Sequence, residues 1–196
     1  MNYNEIMSLK RKFETGYLEI IIGPMFSGKT SKLLDLYKQY KFCNLKVAVI
    51  NHSEDTRYDN TLLSSHDKVM IPCIQTTKLN YLTTENDEIY DSDVILINEG
   101  QFFDDLYGFV VDMLKFNKKI YVSGLDGDFE RKKFGQILDL IPLCDKVTKM
   151  TSLCSLCKNG TPGLFSMRLT KEKEQMLIGS TNYIPVCRVC YEENTH

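Results

Sequence analysis

Gly23, Pro24, Met25, Phe26, Ser27, Gly28, Lys29 and Thr30 form two glycines flanking four residues, followed at once by Lys and Thr. Glycines let backbone amides turn toward phosphate oxygens at the positive end of a helix. Lys29 adds a mobile cation for the β and γ phosphates, and the Thr30 hydroxyl is a ligand for Mg²⁺. The competing reading is a strand, a turn and a helix capped by a hydroxyl. The apolar run at 18–22 and the helical pattern from about Lys29 favour the phosphate cradle. The motif alone selects neither nucleotide nor reaction. Guanine-specific proteins of this class usually carry Asn-Lys-x-Asp late in the sheet. Here Asn117, Lys118 and Lys119 run into Ile120, so ATP is the expected nucleotide.

A second candidate centre lies at 94–103. The apolar run 94–97 ends in Asn98, Glu99, Gly100, Gln101, Phe102 and Phe103. In an open parallel sheet, active sites gather outside the carboxyl ends of the strands. Glu99 there can accept a hydroxyl proton during phosphoryl transfer or orient a water for hydrolysis. Its plainer alternative is an acid at a helix start. Asn98 stands where phosphate-loop proteins normally place an Asp whose charge helps hold the magnesium water shell. Asp55, in the loop after the second strand, is the expected substitute. Its neighbour Arg57 either reaches phosphate or forms a solvated surface pair with it.

Four of the seven cysteines form a third constellation. Cys154 and Cys157, then Cys187 and Cys190, make two C-x2-C knuckles with 29 residues between them. Four thiolates suit a tetrahedral, closed and therefore structural Zn²⁺ site. Two disulfides are the alternative, disfavoured in a reducing compartment. The metal would fix both ends of the intervening loop, which has balanced charge and suits closure over a small ligand. Cys43, Cys73 and Cys144 sit among apolar neighbours and read as buried thiols.

These groups need a scaffold. Strand-like runs fall at 18–22, 46–50, 69–74, 94–97, 120–122 and 146–150, with helical patterns at 30–40 and 103–116. Alternating strands and helices imply βαβ units, hence an α/β fold with a mostly parallel sheet and helices on both faces. The expected organisation is a loose leader at 1–16, a nucleotide-binding domain at 17–150, a zinc-binding domain at 151–191 and a short tail at 192–196.

The chain has 196 residues, 43% of them hydrophobic, enough for a packed core. A net charge of −2 argues against nucleic-acid binding through bulk charge. No apolar run is long enough to span a membrane, and residues 1–13 leave no room for a signal-peptide core. A cytoplasmic protein without a membrane partner is expected.

Taken together and in order, residues 23–30, Asp55-Thr56-Arg57, residues 98–103, residues 125–135 and the four cysteines resemble thymidine kinases of the cytosolic, zinc-containing type. The resemblance covers roughly 17–191 and implies a phosphate-loop α/β domain with a zinc ribbon bearing a lasso-like loop. It implies transfer of the ATP γ-phosphate to the 5′-hydroxyl of thymidine with Mg²⁺, in deoxynucleotide salvage. Glu99 matches the general base. Residues 23–30, Asp55, Thr56, Arg57, Asn98 and Gln101 fall to the nucleotide side. On the thymidine side the resemblance places Met25, Phe102, Leu125, Phe129 (stacked on the base), Ser166, Tyr183, and the loop residues Gln175, Met176, Leu177, Ile178 and Gly179. A homotetramer inhibited by thymidine triphosphate is implied as well.

Two departures carry expectations. Asn98 replaces the family's usual Asp, which bears on metal binding and turnover. Ser166 stands where a Thr often faces the thymine methyl, which bears on discrimination against deoxyuridine. Two other readings compete: a phosphate-loop ATPase whose zinc ribbon binds nucleic acid, and a weakly catalytic nucleotide sensor.

Overall fold

The computed structural model describes residues 13–53, 62–64, 70–85, 87–172, 174–175 and 182–195. Six strands form its central sheet: β1 (Tyr17–Ile22), β2 (Val47–His52), β5 (Ile74–Thr76), β6 (Val94–Ile97), β7 (Lys119–Gly124) and β8 (Lys146–Lys149). Their order is β5-β2-β6-β7-β1-β8, and every pairing is parallel. Parallel neighbours need crossovers, and helices supply several of them. Along β1, Leu18, Ile20 and Ile22 enter one core while Ile21 enters the other, as the two-residue period of a strand requires.

Helix α1 (Lys29–Phe42) covers one face through Leu33, Leu34 and Leu36. On the other face lie α2 (Asn80–Glu85), α3 (Asp87–Asp91) and α4 (Leu106–Lys115). They contribute Leu82, Ile89, Leu106, Phe109, Val110 and Met113 to the larger core. Both faces are thus covered, as the sequence implies.

Three local expectations are corrected. The run at 69–74 is not one strand but β4 (Met70–Pro72) and β5, which belong to different sheets; β4 pairs antiparallel with β3 (Leu62–Ser64). Pro72 has no N–H with which to continue a ladder. The helix expected from 103 begins at Leu106, after a 3-10 turn at Gly100–Phe102. The Asp105 carboxylate accepts from the Leu79 and Asn80 N–H groups at 3.2 and 2.9 Å, serving the start of the neighbouring helix. Finally, Cys43 is exposed and Cys73 and Cys144 are only half-buried. Cys43 follows the last turn of α1, where the chain leaves the core.

The C-terminal unit is built from short hairpins. β9 (Ser152–Leu153) pairs with β10 (Pro162–Gly163), and β11 (Phe165–Arg168) pairs with β12 (Tyr183–Val186), both antiparallel. Helix α5 (Arg188–Asn194) follows. Its small core joins Met167, Val186 and Tyr191 to the cysteines. No described helix is long and apolar enough to cross a membrane.

Candidate active site

The phosphate loop leaves β1 and enters α1 through Gly28, whose φ of 83° is in the left-handed region that favours glycine. At Gly23 the constraint is space, because a Cβ there would lie 2.4 Å from the Met150 carbonyl oxygen. Lys29 is buried and its Nζ donates to the Pro24 carbonyl at 2.7 Å, so the ammonium lies inside the curve of the loop. The first turn of α1 carries no acidic residue, leaving its positive end without a competing carboxylate. Ser27 is buried, Met25 and Thr30 are half-buried, and Phe26 is exposed.

The Met25 N–H donates to the Ser166 hydroxyl at 2.9 Å. Ser166, assigned to the thymine methyl by the resemblance, therefore also holds the phosphate loop. It is buried on β11, so the C-terminal unit reaches directly into the cradle.

Two strands away, Glu99 leaves the carboxyl end of β6. It is a non-glycine residue in the left-handed region, with φ 53° and ψ 43°. Backbone in that region carries strain for most side chains and is held by its surroundings. Gln101 is part of that hold. Its Nε2 donates to Glu99 Oε2 at 2.7 Å, while its Oε1 accepts from the Leu125 N–H at 3.0 Å. The amide, expected on the nucleotide side, is buried and engaged at both ends within the protein. It couples the acid to the start of the segment after β7. Phe102 packs between the rings of His52 and Phe134, each centroid 5.5 Å away.

Asn98 is buried beside Asn51, and its Nδ2 donates to Asn51 Oδ1 at 2.8 Å. Gln75, in register with Asn51, extends the row. Oriented to satisfy its neighbours, its amide accepts from Asn51 Nδ2 and donates to the Asn51 and His52 carbonyls, each at 3.2 Å. On the other side, Ser123 stands with Asn98 one residue beyond the paired Ile97 and Val122. Ser123 Oγ is a buried oxygen with no protein partner among the described residues. Asn51, Asn98 and Ser123 thus form a polar, uncharged row at the strand ends, fit for hydrogen bonding rather than charge pairing, with the Glu99 carboxylate next along the chain.

The segment after β7 carries Leu125 and Phe129, both half-buried. Buried Asp128 shapes the turn: its Oδ1 accepts from the Glu130 and Lys132 N–H groups, each at 2.9 Å. Its Oδ2 accepts from Gln175 Nε2 at 2.7 Å, joining the turn to the loop of the C-terminal unit. The Phe129 carbonyl accepts from the Tyr191 hydroxyl at 2.6 Å. Sequence reasoning missed Asp128 and Tyr191 as contributors. The position of Tyr191, directly after a cysteine of the cluster, was the available signal. Asp55, Thr56, Arg57, Met176, Leu177, Ile178 and Gly179 lie outside the described residues.

The four cysteine sulfurs converge. Cys154 follows β9, Cys157 lies in the next turn, and Cys187 and Cys190 open α5; all four Sγ atoms lie within 4.8 Å of one another. Zn–S bonds of about 2.3 Å at tetrahedral angles separate sulfurs by about 3.8 Å. The Cys157 sulfur is 3.7 Å from that of Cys187 and 3.4 Å from that of Cys190, which fits. Burial pushes the Cys154 thiol up, but backbone N–H groups of Cys157, Cys187 and Leu156 outweigh it and bring the pKa down to about 6. The neighbouring Cys157 sulfur and burial push the Cys190 thiol the opposite way, so four crowded sulfurs become thiolates together only with a cation among them. The cluster fits a structural zinc, with no ligand position left for substrate.

Fold and site together define a phosphate-loop nucleotide-binding enzyme whose C-terminal unit carries a four-cysteine cluster fit for zinc. The family model for thymidine kinase matches residues 16–191. The thymidine kinase of sheeppox virus (strain KS-1) is 43% identical over 177 residues, covering 90% of this chain and 97% of the relative. That of rice (Oryza sativa subsp. japonica) is 42% identical over 181 residues, covering 90% and 66%. Thymidine kinase 1 of Dictyostelium discoideum is 37% identical over 187 residues, covering 91% and 79%. The chain belongs to the thymidine kinase family.

Proposed function

We propose that this chain transfers the γ-phosphoryl group of ATP to the 5′-hydroxyl of thymidine, giving thymidine monophosphate and ADP. The observation that carries the reading is the Glu99 carboxylate, tied by Gln101 to the segment bearing Leu125 and Phe129, at the same carboxyl end of the parallel sheet as the phosphate loop. In this reading Glu99 accepts the 5′-hydroxyl proton as the new O–P bond forms. The bond from the γ-phosphorus to the bridging oxygen breaks, and ADP leaves with that electron pair. Lys29 and the loop amides stabilise charge on the phosphoryl oxygens. Thr30 would hold Mg²⁺, which when bound would neutralise charge on the β and γ phosphates. Phe129 provides a face for the thymine ring, and Leu125 and Met25 its apolar surroundings. Asp55, Thr56 and Arg57, and Met176 to Gly179, are assigned to nucleotide and base respectively by the family resemblance.

The same reading extends to deoxynucleotide salvage in the cytoplasm, a homotetramer and feedback inhibition by thymidine triphosphate. Its test is phosphoryl transfer from ATP to thymidine across a Mg²⁺ titration, with deoxyuridine and deoxycytidine alongside. Thymidine monophosphate with little deoxycytidine product is expected. Asn98→Asp is expected to reach half-maximal rate at lower Mg²⁺, since it adds a carboxylate at the end of β6, where it would attract the cation. Salt-sensitive DNA binding without thymidine turnover would instead support the nucleic-acid reading.

A further inference from the structure

Arg168 ends β11 and is nine-tenths buried, an unusual place for a guanidinium. The environment accounts for it. Nε and Nη2 donate to the Tyr183 hydroxyl at 3.1 and 2.5 Å. Nη1 donates to the carbonyls of Glu172 and Glu174 at 2.8 and 2.6 Å, and Nη2 to that of Gln175 at 3.2 Å. The guanidinium carbon lies 3.7 Å from the centroid of the Phe129 ring. One planar group therefore joins a β-strand, three loop carbonyls and the ring assigned to the base.

We propose that Arg168 is a positioning residue for the nucleoside, one that sets the plane of Phe129 together with the path of the loop at Glu172, Glu174 and Gln175. The inference rests on the thymidine reading above. Arg168 covers one face of Phe129, so a stacked base takes the other. The ring is then held from behind by a flat cation and at its backbone by Tyr191. Gln175, whose carbonyl Arg168 binds, donates in turn to Asp128 beside Phe129. Ring and loop thus form a closed circuit of contacts, and their relative placement is a single variable. A lysine cannot reproduce this, because a point charge with three donors lacks both the plane and the fork.

The test is steady-state kinetics of Arg168→Lys with thymidine and ATP varied separately, together with zinc content and melting temperature. Loss of the stack and fork is expected to raise the thymidine KM roughly tenfold, with the ATP KM and kcat within about twofold of wild type. Arg168→Gln, which keeps a flat amide but loses the charge and most of the fork, is expected to move the thymidine KM in the same direction. It serves as the second variant should Arg168→Lys not fold. An unchanged thymidine KM in both variants overturns the proposal. So does an equal rise in both substrates' KM, which marks a merely structural role. A wild-type protein that turns over no thymidine overturns the functional reading, and this inference with it.

Discussion

The backbone N–H of Met25 donates to the hydroxyl of Ser166 at 2.9 Å, across 141 positions of sequence. Through this bond the phosphate loop leans on β11 of the cysteine-bearing unit. Residues assigned to the two substrates are therefore not independent. The group proposed to flank the base also shapes the phosphate loop.

Ser166→Ala removes the acceptor and leaves the Met25 N–H without it, at a cost of about 1–3 kcal/mol. We expect kcat/KM to fall roughly tenfold for ATP as well as for thymidine, while Ser166→Thr, which keeps the hydroxyl, stays near wild type. Parallel kinetics on both substrates checks this. A defect confined to thymidine would mean that the hydroxyl serves only the base.

Gln101 is the link between Glu99 and Leu125. Gln101→Leu removes a donor to the acid and an acceptor for the Leu125 N–H while keeping similar bulk. The change frees the proposed base from its donor and the Leu125 backbone from one hydrogen bond, while the Phe129 turn keeps its own contacts to Asp128 and Tyr191. On that ground kcat should fall roughly tenfold or more, with a smaller change in either KM. A change in KM alone would return Gln101 to the nucleotide side.

The cysteine centre holds Phe129 indirectly, since Tyr191 follows Cys190 and donates to the Phe129 carbonyl at 2.6 Å. Stripping the metal with a chelator should weaken thymidine binding before ATP binding, and zinc should restore it. Calorimetric titration of each ligand before and after chelation measures this. Equal loss of both ligands would indicate collapse of the whole chain.

Glu19 predicts the acid limit of stability. It is buried on β1, where its carboxylate accepts from Thr148 Oγ1 at 2.6 Å and the Tyr17 hydroxyl at 3.2 Å, with Lys146 Nζ 3.1 Å away. Burial pushes its pKa up, but the hydrogen bonds from Thr148 and Lys146 and the Lys146 charge outweigh this and hold it below the ordinary 4.5. A depressed carboxylate stabilises the fold fully above its unfolded value and loses that contribution as pH falls through the folded value. Denaturation midpoints from about pH 7 to about pH 3 should therefore drop more steeply for wild type than for Glu19→Gln. Identical slopes would remove Glu19 from the account.

What the sequence disclosed follows from what is local. The phosphate cradle is contiguous, and the cysteine knuckles and the β6 run ending in Glu99 are short patterns whose residue types state their chemistry. The parallel sheet followed from apolar runs of the right length. Pro72 broke one of those runs for want of a single N–H, a detail that periodicity does not weigh. Long-range polar couplings were least legible. Nothing near Ser166 announces Met25, and nothing near Arg168 announces Phe129. Each polar group could have found other partners, and the packing of two separate units decides which it meets. Asp105 likewise resembles the start of its own helix, yet its carboxylate serves the start of α2.

The central claim is that Glu99, as held here, takes the proton from the nucleoside hydroxyl. Its most direct test is single-turnover formation of thymidine monophosphate by wild type and Glu99→Gln at saturating ATP, Mg²⁺ and thymidine. Removing a general base typically costs about 10²–10⁴-fold in the chemical step. The account predicts a loss in that range with thymidine still bound at near wild-type affinity. A Glu99→Gln enzyme that turns over at the wild-type rate would contradict it.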